Sequence, residues 1–187
     1  ANNGQNGSMF DITALNTALV TRLAGNFDPG PHTIAIYYKA GTMVGFENNA
    51  TAWTLAGTAN ITSNGNNVST SIPIPINVQI PAGQTYGWYV TTTTGTGLNY
   101  SNGSAVGFIF AADANLQIKE GYGKGYPFGA TFTPRLWNGT VEYSTCSYNF
   151  VTLVQSLPAS GAALNFSFPN TPAIASGPAT LQVRTRG

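Results

Sequence analysis

Apolar and polar residues alternate along most of the chain, and the clearest run lies at its centre. From 72 to 80 every even position is apolar (Ile72, Ile74, Ile76, Val78, Ile80), with Pro73, Pro75, Asn77 and Gln79 between them. A period of two is that of a half-buried β-strand. Tyr86, Trp88 and Val90 repeat it after Pro81-Ala82-Gly83, where proline presets φ and glycine suits the exit of a tight turn. The spacing predicts a β-hairpin over 72–94. Pro73 and Pro75, two apart, face the same neighbour, and neither has an N–H to offer it. That flank is therefore expected at a sheet edge, where the prolines discourage pairing with another chain.

The same alternation marks strands elsewhere: Phe10, Ile12, Ala14; Leu19, Thr21, Leu23; Ile34, Ile36, Tyr38; and Trp53, Leu55, Gly57, Ala59, Ile61. Further strand-length runs fall at 98–101, 105–112, 115–122 and 134–143, separated by Gly-rich and Asn-rich punctuation. Asp28-Pro29-Gly30-Pro31 reads as a turn, and residues 41–52 have no clear period and read as a long loop. No dozen residues show helical spacing. The pattern predicts an all-β chain, an antiparallel β-sandwich of jelly-roll type. A polar leader over 1–8 precedes a sandwich domain over 9–144. Strands over 145–187, marked by Tyr148, Phe150, Leu153, then Leu164, Phe166, Phe168, then Leu181 and Val183, complete that sandwich, open a second domain, or pair with a neighbouring molecule.

Composition narrows the function. A chain of 187 residues with 42% hydrophobic and 12% aromatic residues can bury a core. Only 7% are charged, against about 25% in an average soluble protein, so Asn, Thr, Ser and Gly must keep the surface soluble. A net charge of +1 cannot steer a polyanion, which argues against a nucleic-acid partner. No run approaches the roughly 20 apolar residues of a membrane-spanning helix. The first residues, ANNGQNGS, are neither basic nor apolar, so any export signal is expected to have been removed or to lie outside this sequence. The single Cys146 cannot form an internal disulfide and is either a buried thiol or paired outside the chain. Hydroxyl-rich, lysine-poor composition points to export.

Four stretches in order, WTLAGT at 53–58, IPAGQTYGWYVT at 80–91, GKGYPFG at 123–129 and FTPRLWNGTVEY at 132–143, resemble a module of large secreted and cell-surface bacterial proteins of the Bacteroidetes type. The similarity spans roughly residues 8–144. It implies a non-enzymatic β-domain set beside adhesive or sorting domains, exported to the cell surface or an extracellular matrix, and it supplies no catalytic residues. No sorting tail of that kind is visible after Arg186, which leaves the mode of attachment open.

Candidate chemistry is sparse. Trp53, Tyr122, Tyr126 and Phe128 could offer flat faces to sugar rings, with Asn, Gln and Thr supplying hydrogen bonds. Trp88 and Trp137 share the phase of core positions and are expected inside. Asp113 and Glu120, with Asp11, Asp28 and Glu47, are the carboxylates available to a structural Ca²⁺, but no D-x-D-x-D-G loop is present and solvated loop carboxylates are the default. No cofactor is expected. His32, the only histidine, lies in a turn without a G-x-S-x-G elbow, so a catalytic triad finds no support. One His and one Cys are too few for zinc. Sequons at Asn49, Asn60, Asn67, Asn99, Asn102, Asn138 and Asn165 are what chance yields in such a composition, and the bacterial resemblance implies that most stay unmodified. The expectation is a non-catalytic structural or adhesive unit of a surface protein or filament, partnered by copies of itself or neighbouring domains. The competing expectation is a carbohydrate-binding module that reads polysaccharide through the exposed aromatics.

Overall fold

A computed structural model describes residues 3–145. Cys146 and the strands expected beyond it lie outside the described residues. The strands are β1 (Asn3–Gln5), β2 (Gly7–Ala14), β3 (Ala18–Asn26), β4 (Gly30–Ala40), β5 (Thr54–Ser63), β6 (Ser69–Ser71), β7 (Val78–Ile80), β8 (Thr85–Thr92), β9 (Leu98–Asn102), β10 (Ile109–Ala112), β11 (Leu116–Lys124), β12 (Thr131–Trp137) and β13 (Gly139–Thr145). Among the described residues the only helical element is one 3-10 turn, Ala50–Ala52. A nine-stranded sheet runs β1-β9-β12-β11-β2-β8-β4-β5, with β10 also on β11, and a four-stranded sheet runs β13-β3-β6, with β7 also on β3. Every strand pair in both sheets is antiparallel. The described residues form an all-β, sandwich-like fold.

Inward positions of both sheets share one core. Phe10 and Ile12 of β2, Ile34 and Ile36 of β4, and Trp88 and Val90 of β8 meet Val20 and Leu23 of β3 and the apolar positions from Ile72 to Ile80. Trp88 and Trp137 are buried there as expected, and Phe10 stacks on Trp137 with centroids 4.2 Å apart. The run over 69–80 lies along β3, held through β6, through Ile72 N–H on Leu23 O (3.0 Å) and Ile76 N–H on Thr21 O (3.1 Å), and through β7. Ile72 and Ile76 thus turn their N–H groups toward β3, while Ile74 N–H bends back onto Ile72 O at 2.8 Å. Pro73 and Pro75 face outward on an edge, as their missing donors require.

The predicted hairpin over 72–94 does not form. β7 belongs to the small sheet and β8 to the large one, so the turn closed by Gln84 N–H on Pro81 O (3.0 Å) carries the chain across the core. Both runs do alternate, but their apolar faces oppose each other through the core instead of lying side by side. The run at 134–143 is likewise two strands: β12 in the large sheet, β13 in the small one, with Asn138 between them. Gly139 permits this passage, since a Cβ there would lie 2.2 Å from Ala24 O and 2.3 Å from the Trp137 ring. Within 105–112 only β10 is a strand, because Phe108 N–H turns back onto Ala105 O at 3.0 Å. Part of the polar leader is also structured: β1 pairs with β9, and β2 already begins at Gly7. Bulges shift two faces. One in the β13–β3 pairing lets Ala18, Val20 and Leu23 all point inward, and one in the β4–β5 pairing leaves Leu55 exposed.

Candidate functional site

The large sheet is covered on its outer face as well. On β8, Tyr89 and Thr91 point away from the main core yet are fully buried. Met43 and Trp53, from residues 41–53, cover Tyr89, and the fit depends on glycine. A Cβ on Gly87 would meet Met43 N at 2.9 Å, and one on Gly121 would meet Met9 O at 2.1 Å and Met43 Cε at 2.5 Å. Met43 therefore beds between β8 and β11 where side chains are missing. Met9, Met43, Trp53 and Tyr89 form a second apolar cluster, with Tyr37, Val106, Tyr122 and Phe128 packed against it.

Polar anchors hold the covering loop down. Asp11, 3% exposed, accepts from Thr42 Oγ1 (2.5 Å) and Met43 N–H (2.9 Å). Burial pushes its carboxyl above the usual 3.8, although those bonds and two lysine charges pull the other way. Lys39 donates from Nζ to Ala40 O (2.9 Å) and Thr42 O (2.7 Å) and lies 4.1 Å over the Phe46 ring. Lys124 donates to Asn48 Oδ1 (2.8 Å), Gly129 O (2.5 Å) and Thr131 Oγ1 (2.7 Å). Burial lowers both ammonium groups below their ordinary 10.5. Trp53 Nε1 donates to Phe46 O at 2.9 Å.

A second, tight loop completes the cover. Gly125 N–H bonds to Ala130 O and Gly129 N–H to Gly125 O, each at 2.9 Å, around a cis Tyr126–Pro127 bond. Phe128, at φ 50°, drops its ring into the cluster, edge-on to Tyr37 (5.1 Å) and Tyr89 (5.0 Å). Tyr89 donates its hydroxyl to Gly125 O at 3.1 Å, and burial holds that phenol up to about 12. Tyr122 is also pushed to about 12, by burial and then by its bond to Glu47. Burial works against ionisation of Glu47, but bonds from Gly45 N–H and the Tyr122 hydroxyl, with the Lys124 charge, outweigh it and keep its carboxyl below 4.5.

The four aromatic candidates do gather on this face, in different roles. Trp53 is not the exposed platform a sugar would need. It is 8% exposed, tilted against Tyr89 (6.4 Å) and Phe128 (6.0 Å), with its N–H already bonded, because the 3-10 turn before it tucks the indole inward. Tyr122 and Phe128 are half-buried, and Tyr126, 36% exposed, offers the most ring. Asp113 and Glu120 do not meet in one site. Asp113 holds the turn after β10, accepting Asn115 and Leu116 N–H at 2.8 Å each and the Tyr143 hydroxyl at 2.6 Å. Glu120, 3% exposed, accepts Ala105 N–H at 2.9 Å and Ser104 N–H at 2.5 Å. Among the described residues no three His, Cys, Asp or Glu side chains cluster as metal ligands. His32 is half-buried, with its Nε2 2.8 Å from Asp28 O.

Sequence reasoning passed over Lys39 and Lys124, two of the chain's three lysines and both buried. The available signal was Gly87, Gly121 and Gly123 within strand patterns, which marks close approach of another segment. Two shallow clefts also open on the surface. One of about 310 Å³ is lined by Asn26, Asn67, Ser69, Ser101, Asn138 and Thr140, and one of about 350 Å³ lies beside β5 at Thr33, Asn60 and Thr62. No protein-family model matches this chain, and neither does any curated protein.

Proposed function

We propose that the chain is a non-catalytic structural or adhesive unit of an extracellular surface protein or fibre, joined to other copies of itself through a sheet edge. The contrast between its edges carries this reading. On the small sheet, Pro73 and Pro75 remove the donors that an incoming strand would use. On the large sheet, β5 has only β4 beside it among the described strands, and its ten residues include neither proline nor a charged side chain. Such an edge accepts a further strand through backbone hydrogen bonds. A net charge of +1 leaves little repulsion between copies. Export rests on the lysine-poor, hydroxyl-rich composition and on the motif resemblance.

Light scattering and sedimentation of the full chain over a concentration series test the reading. The natural chain is expected to form oligomers, and Thr58→Lys, which places an ammonium on the exposed edge strand, is expected to return it to monomers. A natural chain that stays monomeric at roughly millimolar concentration refutes assembly, since specific edge pairing should be populated there.

A second reading, a polysaccharide-binding module, is favoured by one observation: Tyr126, 36% exposed, stands beside Tyr37 at the edge of the aromatic cluster. Retardation in a polysaccharide gel that disappears with Tyr126→Ala supports it, and no retardation by any polysaccharide removes it.

A further inference from the structure

Lys124 is fully buried, and each of its three hydrogen-bond partners is neutral: an amide oxygen, a carbonyl and a hydroxyl. The one ion pair among the described residues is Arg22–Glu142, at 3.8 Å, so no carboxylate stands within ion-pair reach of this ammonium. Burial favours the neutral amine, and although the more distant Glu47 charge opposes it, the Lys124 ammonium is still held below its ordinary 10.5. A desolvated lysine amine is a nucleophile. Its Nζ lies 2.8 Å from Asn48 Oδ1, and Cγ is the next atom along. With a C=O bond of about 1.23 Å, Cγ lies within about 4 Å of Nζ, and a small shift of the Asn48 side chain brings that carbon to the roughly 3–3.5 Å of a near-attack geometry. The two side chains are fixed from both sides, Lys124 by β11 and its bonds to Gly129 and Thr131, Asn48 by the loop that Asp11, Lys39 and Trp53 pin to the sheet.

We propose that Lys124 and Asn48 become joined by an isopeptide bond that the folded chain forms by itself. The lone pair of the neutral Nζ attacks Cγ of Asn48, forming the new C–N bond. The Cγ–Nδ2 bond then breaks, and Nδ2 leaves as ammonia, carrying off the proton that Nζ gives up. One amide replaces another, so no oxidant or co-reactant is needed. Asn48 is exposed, which gives the ammonia a way out to water. The product ties the covering loop to β11 across 76 residues of sequence.

Intact mass spectrometry of the purified full chain decides the matter. The natural chain is expected to fall short of its sequence mass by one ammonia, and a digest is expected to contain a branched peptide joining Asn48 to Lys124. A succinimide at one of the Asn-Gly pairs would lose the same mass, so the branched peptide is the distinguishing readout. Lys124→Arg keeps several donors but has no nucleophilic amine, and it should show the full mass. Asn48→Asp should lose one water instead. A natural chain at full sequence mass after prolonged incubation overturns the proposal, as does a digest with Asn48 and Lys124 in separate unmodified peptides. Neither outcome depends on a variant folding.

Discussion

Replacing Tyr89 by phenylalanine removes one oxygen from the outer cluster and leaves its ring packing in place. At neutral pH this deletes the hydrogen bond to Gly125 O at 3.1 Å, which is worth about 1 kcal/mol. At high pH the sign reverses. Burial raises the Tyr89 phenol from 10.0 to about 12 in the folded chain, whereas the unfolded chain ionises it freely from its ordinary value upward. A raised folded pKa means that the associated stability is complete below pH 10 and is lost as the pH climbs through about 12. Linkage puts the loss at roughly 1.4 kcal/mol by about pH 11 and roughly 2.7 kcal/mol well above pH 12. The phenyl ring of the variant has nothing to ionise. Tyr89→Phe should therefore start about 1 kcal/mol less stable than the natural chain and overtake it near pH 11. Tyr122, also held to about 12, ionises in both proteins and cancels from the difference. Urea unfolding midpoints from about pH 7 to about pH 12 test this, with the slopes checked for constancy. Two stability curves that remain parallel over that range would refute the burial argument for this phenol.

Two further outcomes follow from the same cover. Trp53→Ala should cost about 3–5 kcal/mol, because it empties a site that is 8% exposed between Tyr89 and Phe128; a loss near zero in urea unfolding would return Trp53 to the surface. Gly121→Ala should cost about 1–3 kcal/mol or more, since its Cβ meets the Met9 carbonyl at 2.1 Å and a backbone oxygen cannot move aside as a side chain can. Gly57→Ala meets only Ile74 Cγ2 at 2.9 Å and should cost less in the same assay.

Alternation made much of this fold legible, and its limits have one cause. The period of two tells which residues face a core, not which sheet a strand joins. Residues 72–80 alternate in burial without a break, and the two prolines sit on the predicted edge. Yet no hairpin spans 72–94, because strands facing each other through a core carry the same apolar phase as strands lying side by side. Trp137, Val141 and Tyr143 share one phase for the same reason, although Asn138 separates two sheets. The aromatic candidates at 122–128 are legible because they cluster in sequence among glycines. The burial of Trp53 is not, because it depends on a loop with no period of its own, anchored by Asp11, Lys39 and Lys124 from three different strands. Those anchors are long-range pairings, and no local pattern encodes them.

The single-residue link at Asn138 has a mechanical consequence. β12 is laddered to β9 and β11 in one sheet, and β13 is laddered to β3 in the other. Sliding one sheet over the other would stretch the chain at this point at once, since one residue has no slack to give. A tensile load reaching either sheet is therefore passed to its partner through covalent bonds and does not rest on apolar contact alone.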